Sequence, residues 1–145
     1  MRRVSHGKTY MIAIDTNILI YVFDARDPVK QQKAKTLVSG LVDGVLLWQV
    51  AVEYVSASRK LVAQGFGPAQ AMLEIDRFRQ SWTTLLPTWD VFDRAGGLRQ
   101  RFALSLWDSL VVAACLEASV THLYSEDFDA YKTIDGLQLV NPFKP

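Results

Sequence analysis

Residues 11–23, MIAIDTNILIYVF, form an apolar run that is interrupted at its centre by Asp15, Thr16 and Asn17. A carboxylate and an amide among apolar side chains cost free energy unless hydrogen bonds, charges or a ligand satisfy them. The β-rich segment before Asp15 predicts a short strand, and the apolar residues after Asn17 recur at helical spacing. We therefore predict a strand, a polar turn and a helix, with partners for the turn supplied from elsewhere.

The bulk composition is that of an ordinary globular domain. The chain has 145 residues, of which 50% are hydrophobic and 21% charged, and its formal net charge is +1. This length suits one domain with a sizeable core, and the charge by itself indicates no partner. The single cysteine, Cys115, lies in an apolar run, so we expect no disulfide framework and a cytoplasmic location.

We expect one domain over residues 11–145, with residues 1–10 an N-terminal extension or a cloning remnant. Asp15 and Asn17 interrupt the apolar run after Met11 and no small-residue cleavage site follows, so a signal peptide is not expected. No stretch approaches the roughly 18 uninterrupted apolar residues of a membrane span, so no membrane partner is expected.

Predicted strands and helices alternate along the rest of the chain. Short apolar strands are predicted at 10–14, 44–48, 83–87, 121–125 and 136–141, with helices between them. Asp27 followed by Pro28 predicts a helix start, and Ser105 predicts the start of a nearly all-apolar helix. This order predicts an α/β fold, a three-layer α/β/α sandwich around a mostly parallel sheet of four to five strands.

Two acidic residues follow closely after predicted strands. Asp15 comes directly after the first strand, and Asp127 comes shortly after the strand at 121–125. Ligands of such sheets bind beyond the carboxyl ends of the strands. We therefore expect Asp15 and Asp127 to share one edge of the fold.

The sequence contains few histidine and cysteine residues that could act in catalysis or bind a metal. Two histidines, His6 and His122, and one cysteine leave little material for a nucleophilic triad or a zinc site. No GxxxxGK[ST] or GxGxxG motif is present to cradle phosphates. Carboxylates are the remaining candidates.

Each candidate acid also has an acceptable structural role. Asp15 can cap the helix that it precedes, and Asp108 stands at capping-box spacing from Ser105. Glu53 fits a solvated helix face, and Asp127 fits an acidic loop. The functional interpretation rests on their joint order, which is an acid after the first strand, one on a helix, one opening the apolar helix and one after the next strand.

Four motifs resemble those of a known family. The chain is similar to PIN-domain ribonucleases in IDTNILIY (14–21), VAVEY (50–54), LSLWDSLVVAACLEA (104–118) and the segment from LYSEDFD to IDGLQLVNPF (123–143). It looks in particular like the VapC-like toxins of bacterial toxin–antitoxin pairs, from Met11 to the C-terminus. The resemblance implies a PIN-like fold and an Mg²⁺- or Mn²⁺-dependent ribonuclease.

The resemblance also implies which residues form the site. The implied catalytic residues are four acids, Asp15, Glu53, Asp108 and Asp127. The implied supporting polar residues are Thr16, Asn17 and Ser125. We assign Asp15 and Asp108 as the principal metal ligands and Asp127 as a ligand directly or through water. Glu53 either orients the attacking water or binds a group that itself contacts the metal. Hard oxygen ligands of this kind are those that Mg²⁺ and Mn²⁺ prefer.

Two positions leave alternatives open. Glu126 and Asp129 can each compete with Asp127 for the fourth role. The serine that the family places before its glutamate has no clear counterpart near Val50.

An acidic centre repels RNA, so a nearly neutral nuclease needs basic residues around its site. The candidate RNA-binding residues are Arg94, Arg99 and Arg101, with Arg59 and Lys60 beyond the helical glutamate. Solvated helix faces are the alternative explanation for all of them.

The partners implied by the resemblance are an RNA substrate, a second copy of the chain in a homodimer, and an antitoxin peptide in a groove near the site. Tyr21 and Phe23 are the aromatic residues that we expect to be exposed there. The four tryptophans are expected mostly in the core.

Three other functions are alternatives to a ribonuclease toxin. An aspartyl-nucleophile phosphatase needs a second aspartate two positions after the first, where this chain has Asn17. An RNA- or partner-binding module without catalysis is compatible with the structural roles of the four acids. A nuclease of RNA maturation with no antitoxin is the nearest functional alternative.

Overall fold

The structure, a computed structural model, describes residues 3–5 and 8–145, with side chains from Tyr10 onward. The predicted extension at residues 1–10 therefore lies partly outside the described residues, and His6 lies outside them entirely. The described part of this segment forms a two-stranded antiparallel sheet of β1 (Arg3–Ser5) and β2 (Lys8–Tyr10).

A six-stranded sheet forms the centre of the described chain. Its strands are β3 (Ile12–Ile14), β4 (Val45–Leu47), β5 (Thr83–Leu85), β6 (His122–Tyr124), β7 (Thr133–Ile134) and β8 (Leu137–Val140). The spatial order is β5-β4-β3-β6-β8-β7, and every neighbouring pair is parallel except β7 with β8. The predicted α/β sandwich with a mostly parallel sheet is confirmed, with one strand more than expected.

The additional strand, β7, belongs to a tight hairpin with β8. The hairpin turn is made by Asp135 and Gly136, which have φ angles of 48° and 91°. Two consecutive residues with positive φ are typical of the type I′ turn, for which Asp-Gly is a preferred sequence. The turn was recognisable in the sequence, whereas the two-residue strand before it was not.

The described chain has six α-helices. They are α1 (Thr16–Tyr21), α2 (Pro28–Gly40), α3 (Trp48–Ala57), α4 (Pro68–Ser81), α5 (Trp89–Arg101) and α6 (Leu106–Glu117). The predicted starts of α2 and α6 are confirmed, because the side chains of Asp27 and Ser105 accept backbone N–H groups of Lys30 and Asp108.

The segment VAVEYVSASRKLVAQ (50–64), followed by the glycines of GFG, predicts one helix, but the structure divides it. It begins earlier, at Trp48, and after Ala57 it tightens into a 3-10 helix, Ser58–Gln64, that ends at Gly65 with a φ of 82°. The Ser58 hydroxyl donates to the carbonyl of Val55 at 2.6 Å. This back-bonding satisfies a carbonyl within the preceding turn at the place where the helix tightens.

The core lies between the sheet and its helices, and the tryptophans are only partly in it. Trp82 is buried and Trp107 is half-buried, but Trp48 and Trp89 are exposed, the latter at 78%. The expectation of mostly buried tryptophans is therefore wrong for two of the four. Among the residues described, no helix combines the length and apolar character needed to cross a bilayer.

The aromatic residues expected to be exposed near the site are packed instead. Tyr21 and Phe23 are both half-buried. Phe23 stacks on Phe66 with ring centroids 4.0 Å apart, and Tyr21 meets Phe143 edge to face at 5.2 Å. The expectation failed because helical spacing alone does not reveal which face of a short helix a later segment covers.

Candidate active site

The site begins where two neighbouring parallel strands end. β3 and β6 pair with Ile14 opposite Tyr124, so the next residues, Asp15 and Ser125, emerge side by side. The Ser125 hydroxyl donates to Asp15 Oδ2 at 2.7 Å, and the Thr16 amide donates to Asp15 Oδ1 at 2.8 Å. Asp15 thus caps α1, and it also lies at the edge predicted for ligand binding.

Asn17 links this first turn to the loop that follows β6. Its side-chain amide donates to Asp127 Oδ2 at 2.9 Å and to Ser125 Oγ at 3.3 Å. The Asp127 amide in turn donates to Ser125 Oγ at 3.1 Å. The structure therefore brings together Asp15, Asn17, Ser125 and Asp127, the residues that interrupt two apolar strand–loop segments.

The other two acids come from helices. Glu53 is half-buried on α3 and lines a cleft of about 520 Å³ together with Thr16, Asn17 and Asp127. Asp108 is half-buried in the first turn of α6. The negative charges of Asp127 and Glu53 act on both Asp15 and Asp108. All four predicted acids therefore share one electrostatic environment.

Burial dominates the ionisation of these acids. Asp15 is only 3% exposed, and burial raises its pKa to about 7 despite the hydrogen bonds from Ser125 and Thr16 that favour the carboxylate. Burial also raises the pKa of Asp108, and the charge of Asp127 adds to this effect. The pKa of Asp127 is raised by burial as well, although its hydrogen bond from Asn17 opposes the shift.

The two acids that compete with Asp127 are already paired. Glu126 accepts the Lys30 ammonium at 2.9 Å, and Asp129 accepts the Lys144 ammonium at 2.6 Å. Asp127 forms no ion pair with any described residue. This difference favours Asp127 as the fourth acid.

The donor set suits a hard divalent cation in its chemistry, because it consists of carboxylate oxygens. The hydroxyl of Thr16, which lines the cleft, is buried and finds no hydrogen-bond partner among the described groups. As the side chains stand, no group of three or more His, Cys, Asp or Glu within residues 10–145 has the geometry to hold a metal ion. Binding a cation at these carboxylates therefore needs side-chain movement, although each oxygen of Asp15 and Asp127 that accepts one hydrogen bond keeps a lone pair free.

The three arginines of α5 that were predicted to bind RNA lie apart from this cleft. Arg94 pairs with Glu117 at 2.5 Å, and Arg101 forms a bidentate pair with Asp135 at 2.6 and 2.8 Å. Arg99 lines a separate depression between α5 and the start of α6. None of the three lines the acidic cleft.

Lys60, one of the basic residues predicted around the site, lines the cleft, and so does Arg26, which was not predicted from the sequence. Arg26, in the connection between α1 and α2, is held by the buried carboxylate of Asp24. The only signal in the sequence was the Asp-Ala-Arg spacing within a short loop, which is common on protein surfaces. Tertiary structure is needed to show that this pair faces the acids.

Comparison with known proteins identifies the family. The model of the PIN domain family matches residues 12–136, which is most of the chain. This chain belongs to the PIN domain family.

Solved structures share the fold at low sequence identity. A toxin–antitoxin complex from Klebsiella pneumoniae has a TM-score of 0.69 and 21% identity, with 92% of this chain and 99% of that chain covered. VapC20 from Mycobacterium tuberculosis, described as a sarcin-ricin loop cleaving toxin, has a TM-score of 0.68 and 18% identity, with 86% and 97% covered. FitAcB from Neisseria gonorrhoeae has a TM-score of 0.66 and 16% identity, with 91% and 98% covered. No curated protein sequence gives a significant match.

Proposed function

We propose that this chain is an Mg²⁺- or Mn²⁺-dependent ribonuclease that hydrolyses RNA phosphodiester bonds and acts as the toxin of a toxin–antitoxin pair. The observation that carries the proposal is the shared electrostatic environment of four acids from separate elements, in which Asp127 and Glu53 act on both Asp15 and Asp108. Helix capping explains Asp15 and Asp108 individually, but it gives no reason to place four mutually repelling charges together. Membership of the PIN family and the fold shared with VapC20 support the same assignment.

We propose a separate role for each of the four acids. Asp15 and Asp108 are proposed to hold the metal, with Asp127 as a ligand directly or through water. A divalent metal bound there lowers the pKa of a water molecule and neutralises charge on the leaving oxygen. Glu53, which lies on α3, is proposed to orient the attacking water through a hydrogen bond.

The supporting polar residues keep the acids in place. Ser125 and the Thr16 amide fix the two oxygens of Asp15, while Asn17 fixes one oxygen of Asp127. Each hydrogen bond to a carboxylate favours its charged form, which is the form that binds a cation. Thr16 and Ser125 therefore offset part of the cost of ionising a buried acid.

Protein partners form part of the proposal. Two of the structures that share this fold are VapBC complexes bound to DNA, from Rickettsia felis and Salmonella typhimurium. By analogy we propose a cognate antitoxin and a homodimer for this chain, in the cytoplasm. The exposed side chains of Trp48, Trp89 and Phe92 are apolar surface of the kind that partners cover. Light scattering of the purified protein, alone and with the product of a neighbouring gene, tests both.

The decisive experiment is cleavage of a pool of structured RNAs by the purified protein with Mn²⁺, with chelator, and with Asp108→Asn. Asp129→Asn is the matched control, because Asp129 lies two residues after Asp127 but is paired with Lys144. We expect cleavage by the unaltered chain and the control with Mn²⁺, and loss of cleavage in the other two samples. Intact RNA in every sample, together with no binding of Mn²⁺, would favour a binding module without catalysis.

A further inference from the structure

The acidic cleft also contains basic groups that the chemistry of the acids does not use. Arg26 and Lys60 line it together with Glu53, Asn17 and Asp127. Lys60 forms no ion pair with any described residue. Two cations at the rim of an acidic cleft lower the repulsion that an approaching polyanion meets.

The guanidinium of Arg26 is held in a fixed orientation. Its Nε and Nη2 donate to Asp24 Oδ1 and Oδ2, each at 2.8 Å, and the Asp24 carboxylate is buried. The Gln64 side chain donates to the same carboxylate at 3.0 Å, while its oxygen accepts the Ala25 amide at 2.8 Å. The Arg26 guanidinium holds the pKa of Asp24 well below its usual range, so the carboxylate stays charged at neutral pH.

This side-on pair leaves most of the guanidinium available. Arginine has five N–H donors, and the pair with Asp24 uses one on Nε and one on Nη2. The remaining N–H groups form no hydrogen bond with any described residue, and the side chain is 63% exposed. A planar fork of this kind matches the oxygens of a phosphate, and orientation in advance reduces the entropy lost on binding.

An independent observation also points to a ligand in this cleft. Thr16 lines it, and the buried hydroxyl of this residue has no hydrogen-bond partner among the described groups. A buried hydroxyl without a partner costs free energy that a ligand oxygen can recover. The cleft therefore presents an oriented guanidinium and an ammonium, with an unpartnered hydroxyl buried in its wall, and phosphodiester oxygens accept hydrogen bonds from all three kinds of donor.

We propose that Arg26, positioned by Asp24 and Gln64, binds a backbone phosphate of the RNA strand next to the bond that is cut, with Lys60 as a second phosphate contact. This inference rests on the proposed ribonuclease function, because it assigns the strand's path across the same site. The RNA strand then passes along two segments of the chain. One is the connection between α1 and α2, which carries Arg26, and the other is the 3-10 helix Ser58–Gln64, which carries Lys60. The arginines of α5 are not needed for this contact.

The test measures RNA binding and cleavage by the full chain. Binding of a short fluorescein-labelled single-stranded RNA is followed by anisotropy in chelator over a salt series, and KM and kcat are measured with Mn²⁺. Arg26→Gln should weaken binding several-fold, raise KM more than it lowers kcat, and reduce the slope of log K against log salt by about 0.7. Arg26→Lys should keep the slope but recover only part of the affinity, because the fork is lost.

Arg77→Gln is the matched control. The Arg77 side chain is 76% exposed and pairs with Glu74 at 2.7 Å, so it resembles Arg26 in exposure and pairing but lies on α4, outside the cleft. It should leave binding and the salt slope unchanged. Asp24→Asn tests positioning: the charge of Arg26 remains, so the salt slope should persist while affinity falls.

The outcomes separate the two levels of the proposal. If the unaltered chain cleaves RNA and both Arg26→Gln and Lys60→Gln match Arg77→Gln in KM and salt slope, the phosphate contact is wrong and the ribonuclease function stands. A loss of thermal stability in Arg26→Gln without a change in KM or slope would show a structural pair only. If the unaltered chain neither binds nor cleaves RNA, the proposed function fails and the phosphate contact with it.

Discussion

Replacing Asp15 by asparagine is expected to stabilise the metal-free protein at pH 8. Burial raises the pKa of Asp15 from 3.8 to about 7, so between these values the folded protein holds a proton that the unfolded chain has lost. An acid with a raised folded-state pKa makes the free energy of unfolding fall as the pH increases through that window. The gap of about 3 pKa units corresponds to about 4 kcal/mol at pH 8, where both states are ionised.

The asparagine side chain avoids this penalty but loses part of the hydrogen bonding. In the unaltered chain, the two Asp15 oxygens accept from the Thr16 amide and the Ser125 hydroxyl. Asparagine has one acceptor oxygen, so one of these bonds is lost or reversed at a cost of about 1 kcal/mol. The net gain in the free energy of unfolding at pH 8 is therefore about 3 kcal/mol. At pH 5 Asp15 is protonated in the folded state, so most of this gain should disappear.

Urea unfolding in chelator at pH 5 and pH 8 measures this difference. Asp129→Asn is the control, because the Lys144 ammonium and the Asn141 amide keep the pKa of Asp129 below its usual value. That variant should gain nothing at pH 8. Two results would refute this reasoning. Either Asp15→Asn is less stable than the unaltered chain at pH 8, or the stability of Asp15→Asn and that of the unaltered chain depend on pH in the same way. In either case, helix capping by Asp15 outweighs the cost of burying its charge.

Three further predictions follow from the same structure. Affinity for Mn²⁺, measured by calorimetry, should rise up to tenfold per pH unit below about pH 7 because binding displaces the Asp15 proton, and a pH-independent affinity would contradict this. Ser125→Ala should raise the Asp15 pKa further, lower the free energy of unfolding at pH 8 by about 1–2 kcal/mol and move the Mn²⁺ profile to higher pH. Gly44→Ala places a methyl group 2.8 Å from the buried Trp82 ring and should cost about 1–3 kcal/mol in thermal unfolding, whereas Gly40→Ala, with no neighbour within 4 Å, should not.

The parts of the fold that local rules control were predictable from the sequence. Asp27 with Pro28 and Ser105 mark helix starts through hydrogen bonds within one turn. Asp15 and Asp127 could be placed at one edge because parallel strands carry the residues after them to the same side. These inferences need only chain direction, spacing and the chemistry of each residue.

The parts that depend on tertiary contacts were not predictable. Two-residue β7 has too few residues to show a period, and its existence depends on the turn beside it. The partners of Arg94 and Arg101 lie 23 and 34 residues away, so their engagement is invisible in the sequence. The exposure of Trp48 and Trp89 depends on which helix faces find neighbours, which residue type alone does not decide.

The hydrogen bonds that join Asp15 to Ser125 and Asn17 to Asp127 connect residues 110 positions apart. Such contacts close last, because bringing distant segments together costs chain entropy before the contact compensates for it. During synthesis, the first turn of the site is made early and has no partner until the strand at His122–Tyr124 and the loop after it have left the ribosome. A chain that lacks the strand at His122–Tyr124 and the loop after it therefore cannot assemble this site, and any chemistry of the acids has to wait until both ends of these long-range contacts have been synthesised.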